Sequence, residues 1–384
     1  MRRILITVIT TFILGLVYGS AISPAAAQAI PKSLQEGGTE NAIKTRKNTW
    51  TIGVAGGLID GTYMRFADEL AKVLDDGDNL RILPIVSYGA ASNLEDLIYL
   101  RGVDVAVTQS DVFDYFRNER KTPNIDKRVH YIIRLPISEV QILARSEINS
   151  IEDLRGKKVN FGPAGSGSSL TGTIVFQRLG IQVEQVNINQ ASALQSLRSG
   201  EVSALVRVVG KPVGFFANIP ANSGLKLLSI PFTKQFADYY TLGELTSKDY
   251  PNLIPENGRV DTIAVPTVLA VYNWPKGSDR FRRVERFTER LFANWSKFQQ
   301  PPYHPKWRDI NLAATVPGWT RFSVAEETLQ KYQGKEVARD GDLNRDFQAF
   351  VSRSGTRGSP PSQSEREALF REFLQWRQQQ GPRR

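Results

Sequence analysis

A chain of 384 residues without a single cysteine has no disulfide, no thiolate metal site and no lipid-carrying cysteine, so its stability must come from core burial. Its length exceeds what one hydrophobic core comfortably serves and predicts two domains. The formal charge of +10 is compatible with an acidic ligand or a membrane face, but an ordinary basic surface explains it more simply.

Residues 1–29 carry Arg2 and Arg3, an apolar stretch from Ile4 to Tyr18, and small residues from Ala25 to Ala29. That order predicts a cleavable secretory signal, because the apolar run is shorter than the ~20 residues a bilayer span needs. The mature chain is then exported to the periplasm and soluble. Residues 30–48 are polar, contain Gly37 and Gly38, and read as a flexible lead-in.

From Trp50 the pattern alternates. A strand is expected over 51–55, a loop GGLIDG over 56–61, and a helix over 62–74 with Phe66, Leu70, Val73 and Leu74 on one face. A second strand over 80–86, a helix over 92–100 and a third strand over 103–108 follow. The grammar restarts at Ile151, with a strand over 158–161, the loop GPAGSGSS over 162–169 and a helix over 170–179. Residues 193–209 then repeat the helix, glycine and strand order of 94–107. Strands that alternate with helices predict an α/β fold of two Rossmann-like lobes, each a parallel sheet covered on both faces.

Two strand-like runs, 137–144 and 262–272, are placed to cross between the lobes. Lobe one is then discontinuous, over 49–138 and 264–300, and lobe two covers 139–263. A helix over 279–298 completes lobe one. Residues 301–384 form a C-terminal extension, with a linker near 352–362 and a final helix near 364–379 opened by a capping box at Ser364 and Glu367. Lobes joined by crossing strands imply a cleft that opens and closes around a ligand.

The loop GPAGSGSS has the glycine spacing of a phosphate-cradling loop, but Ser168 stands where the lysine belongs. What remains is backbone chemistry: glycines that admit close approach, serine hydroxyls, and a following helix whose positive end faces the loop, unless the serines merely cap that helix. Serine hydrolysis is poorly supplied, since the spacing is not that of a nucleophile elbow and only His130 and His304 could act as base. Two histidines and no cysteine likewise leave no metal centre to expect. No catalytic residue and no cofactor are expected. By the rule that ligands meet the carboxyl ends of the strands, the candidate binding residues are Gly61, Thr62, Tyr63, Ser87, Tyr88, Asn93, Gln109, Ser110, Asp111, Gly165, Ser166, Gly167, Ser168, Ser169, Arg207 and Lys211.

Taken as a set, GTY at 61–63, NLEDL at 93–97, VDVAVTQSD at 103–111, the segment 159–169 and IAVPTVL at 263–269 resemble the TAXI family of TRAP-transporter solute-binding proteins, over residues 49–298. The resemblance implies a periplasmic binding protein of type II-like fold that closes on a small acidic solute, glutamate-like or a dicarboxylate, and delivers it to membrane permease subunits of a TRAP transporter. Tyr63, Gln109, Ser110, Ser166 and Ser168 carry over as cleft residues. The loop GGLIDG departs from the family's glycine- and threonine-rich run, and the tail beyond residue 300 exceeds the family's length. The expected protein is a monomer with no nucleic-acid partner. A periplasmic sensor presenting ligand to a membrane signalling protein, and an exported hydrolase using Ser166 or Ser168, are the competing readings.

Overall fold

In the first half, apolar residues alternate sides along short strands, with Ile52 and Val54 on one face of the sheet and Ala55 on the other. The computed structural model describes residues 39–237 and 239–332, and there this alternation becomes one sheet buried on both faces. In chain order the main elements are α1 (Glu40–Thr49), β1 (Thr51–Gly57), α2 (Thr62–Leu74), β2 (Arg81–Val86), α3 (Ala90–Tyr99), β3 (Val105–Gln109), α4 (Ser110–Asn118) and β4 (Val129–Arg145). There follow β5 (Lys158–Asn160), α5 (Gly167–Arg178), β6 (Glu184–Val186), α6 (Gln190–Ser199), β7 (Ala204–Val209), β8 (Leu225–Leu228), β9 (Thr241–Thr246), β10 (Arg259–Tyr272) and α7 (Asp279–Ala293).

The sheet runs β2-β1-β3-β10-β4-β7-β5-β6, with β8 on β4 and β9 on β10. Each outer part is parallel, β1 pairing with β2 and β3, and β5 with β6 and β7. The centre is antiparallel, formed by the 17-residue β4 and the 14-residue β10. These strands serve both lobes. Residues Val129–Leu135 of β4 pair with β10, and Glu139–Ala144 pair with β7. Residues Thr267–Val271 of β10 pair with β3, and Arg259–Ala264 pair with β9. The exchange falls at Pro136 and Pro266, where proline removes a ladder donor, and the register slips between Val265 and Thr267. The molecule therefore has the expected α/β architecture of two lobes on crossing strands, type II-like in its strand order.

Three segments differ from the sequence reading. The polar lead-in is helical from Glu40, because Thr39 caps the helix by accepting from the Ala42 amide. The helix expected over 279–298 breaks at Asn294, after which Trp295–Phe298 forms a separate short helix. The third difference is larger. The sequence reading sets residues after 300 apart from lobe one as a C-terminal extension, yet Trp307, Leu312, Phe322, Val324, Ala325 and Leu329 pack in the core of lobe one, and Val316 and Trp319 pack on its other face.

Main-chain bonds fix this segment. The Tyr131 amide donates to the Thr320 carbonyl at 3.1 Å, and the Phe322 amide to that of Tyr131 at 2.8 Å. Lys306 Nζ reaches the Ile137 carbonyl and Glu139 Oε1, each at 3.3 Å, beside the crossing. Burial pushes the Glu139 carboxyl up from its ordinary range, and Lys306 draws it part of the way back. The expected signal (1–29), linker and final helix lie outside the described residues. Among the described residues, no helix is long and apolar enough to cross a membrane.

Candidate functional site

Three helices begin around one cavity of about 50 Å³ between the lobes. Gly61 precedes α2, Gly89 precedes α3, and neither offers a side-chain cap. Ser166 precedes α5 and caps it, its Oγ accepting from the Ser169 amide at 3.0 Å. The first-turn amides of a helix have no carbonyl to meet within it, and they carry partial positive charge. Glycine suits the approach to α3, since Gly89 has φ of 123° and an added Cβ would lie 3.4 Å from Ser166 Cα across the interface.

Arg207 supplies the full charge. It lies on β7, lines the cavity, and is 6% exposed. Its Nη1 has no hydrogen-bond partner, although the guanidinium rests 5.4 Å from the Phe215 ring centroid. Desolvation lowers its pKa to about 10, and the charge of Asp60 partly opposes that. Among the described residues, no aspartate or glutamate lines the cavity. A buried guanidinium left unpaired is costly, and an anion in the cavity would offset that cost.

Of the sequence candidates, Gly61, Thr62, Tyr63, Tyr88, Ser166, Gly167, Ser168 and Arg207 come together on the cavity wall. Gly57, Leu58, Gly89, Ala90, Val208 and Val209 join them. These six went unselected, although Gly57 and Gly89 sit in glycine-marked loops and could have been found there. Ser168 Oγ accepts from the Val208 amide at 2.9 Å, so it ties α5 to β7 where a phosphate loop's lysine would reach outward. Tyr63 donates or accepts at 2.8 Å with Ser138 Oγ and at 3.3 Å with Thr267 Oγ1, hydroxyls that flank the two prolines of the crossing. Burial raises its pKa to about 12.

The other candidates have different occupations. Asn93 is buried and donates to the Val107 carbonyl at 2.7 Å, and it also holds Ser87 Oγ. Gln109 lies against Gly167 and accepts from Thr171 Oγ1 at 3.3 Å. Its Nε2, like the buried Ser110 Oγ beside it in sequence, has no partner. Gly165 accepts from the Ser92 amide at 2.9 Å, which joins the lobes. Ser169 and Asp111 face a wider groove of about 720 Å³ bordered by charged residues such as Glu95, Arg120 and Arg178. Lys211 is turned from the cavity, with Nζ on Asp249 at 3.0 Å and its amide on Glu139 at 2.9 Å.

Asp111 bridges the lobes. Its Oδ2 accepts from the Tyr240 hydroxyl at 3.0 Å, its Oδ1 from the Val112 amide at 2.8 Å. Burial raises its pKa from 3.8 to about 6, while the bonds from Thr171, Tyr240 and Val112 pull the other way. A carboxyl that holds its proton more tightly when folded makes stability fall as pH rises from about 4 to 6, a loss of about 3 kcal/mol for this displacement. Asp111→Asn is expected to flatten the melting temperature across that window and to raise it at neutral pH. Calorimetric melting at several pH values checks this.

The profile of the NMT1-like family matches residues 30–313. A Haemophilus influenzae protein named "Putative thiamine biosynthesis protein" is 34% identical over 98 residues, which is 25% of this chain and 28% of that protein. Among solved structures, an amino acid ABC transporter substrate-binding protein from Streptococcus pneumoniae bound to L-arginine aligns with TM-score 0.39 and 15% identity, covering 70% of this chain and 98% of its own. A TctC solute binding protein from Polaromonas aligns with TM-score 0.36 and 19% identity, covering 67% and 86%.

Proposed function

The chain belongs to the NMT1-like family, and we propose that it is a solute-binding receptor that captures a small carboxylate between its lobes without altering it. The observation carrying this reading is Arg207, buried on the cavity wall with Nη1 unpaired and three helix N-termini converging beside it. Binding alone accounts for the site. The Ser166 and Ser168 hydroxyls are engaged by main-chain amides, and neither histidine lines the cavity. The motif set shared with TAXI proteins supports delivery to the permease of a TRAP transporter, and the N-terminal sequence supports a periplasmic address.

A ligand that touches both lobes favours the closed state by its differential contacts. Gly167 lies against Gln109 across the lobe interface, so an added Cβ would lie 2.2 Å from Gln109 Oε1. In a thermal-shift panel of small organic acids, at least one acid is expected to raise the melting temperature, and Gly167→Ala, which must displace the buried Gln109 from the lobe interface, to weaken its binding at least ten-fold. A panel in which no acid shifts the wild-type melt overturns the reading.

A further inference from the structure

Among the described residues the lining has one full cation and no anion, and that asymmetry limits what can occupy it. A second carboxylate would need a second buried cation, and the other basic candidate, Lys211, is paired with Asp249 away from the cavity. An ammonium group would need an acid. Asp60, whose charge acts on Arg207, lies in an exposed turn outside the lining. Asp111 is buried but outside the lining too, and both its oxygens accept hydrogen bonds. Burying an ammonium beside an unpaired guanidinium and three positive helix ends, with no carboxylate to receive it, is strongly unfavourable.

The remaining wall is mostly apolar, from Leu58, Tyr63, Tyr88, Val208 and Val209, and the space is about 50 Å³. That suits a ligand of few atoms. First-turn amides of α2, α3 and α5 supply more donors than one carboxylate bound to Arg207 consumes. A neighbouring oxygen on the ligand would use them.

We infer that the occupant is a short-chain 2-oxo or 2-hydroxy monocarboxylate carrying no ammonium group. This rests on the carboxylate-receptor reading and narrows it: the carboxylate lies on Arg207 and the first turn of α5, the second oxygen takes the adjoining amides, and the short tail meets the apolar wall.

The test is calorimetric titration of the purified protein with skeleton-matched probes. Pyruvate, lactate and 2-oxobutyrate are set against alanine, 2-aminobutyrate, glutamate and succinate. The oxo and hydroxy acids are expected to bind at least ten-fold tighter than their amino counterparts and than succinate. Asp60→Asn is expected to leave their affinity unchanged or to raise it, since it removes a competing anion from Arg207. If an amino acid or the dicarboxylate binds best, the narrower inference is overturned while the receptor reading stands. Absence of binding by every probe, in a protein that also shows no shift with any small acid, overturns both.

Discussion

Arg207→Met lowers affinity for the best-binding acid by at least a hundred-fold while leaving the ligand-free protein as stable as before, or more so. Both signs follow from one circumstance. The guanidinium is buried with Nη1 unpaired, so without ligand it contributes desolvation cost and little compensation, and methionine of similar reach fills the space without a charge. With ligand it makes charge-assisted bonds worth about 1.5 to 3 kcal/mol each, and losing two of them corresponds to roughly two to four orders of magnitude in affinity. Arg207→Lys restores little, because an ammonium lacks the planar fork that grips a carboxylate. Calorimetry on the three proteins checks this. Affinity within threefold of wild type in Arg207→Met would mean that the acid is held elsewhere.

Trp307→Ala costs about 4 kcal/mol of folding stability, read by urea unfolding. The indole is wholly buried, its ring 4.7 Å from that of Phe66, 4.6 Å from Phe298 and 5.8 Å from Trp295. Its Nε1 donates to Glu69 Oε2 at 2.6 Å. Glu69, only 1% exposed, also accepts from the His304 amide and from Arg65 Nε. Truncation opens a cavity and takes a donor from a buried carboxylate. Trp307→Phe keeps one six-membered ring in the pocket while losing the bond and part of the indole's volume, and an intermediate loss of about 2 to 3 kcal/mol is expected. A loss under about 1 kcal/mol in the alanine variant would show that the segment from residue 301 is dispensable to lobe one.

The α/β alternation was readable because strands and helices impose periods of two and 3.6 on apolar residues, and α2 begins and ends at the residues that periodicity predicts. Arg207 was readable for a different reason: it stands near the carboxyl end of a strand, where open α/β sheets bind their ligands. The segment from 301 to 332 was not readable. Its anchors, Trp307, Leu312, Val316, Trp319 and Phe322, are spread through proline-rich irregular chain with no repeating interval. Nor could Lys211 be separated from Arg207 by sequence alone. Both are cations near the end of β7, and what divides them is Asp249, a partner 38 residues further on. Asn93 shows the same limit, because its amide holds the Val107 carbonyl and so braces α3, whose first residue lines the cavity, against β3.

The hydroxyl cluster of Tyr63, Ser138 and Thr267 has a mechanical consequence. One ring both walls the cavity between the lobes and is tied through its hydroxyl to the two crossing strands. Wall and crossing are therefore one mechanical unit, and Tyr63→Phe would uncouple them while leaving the wall in place.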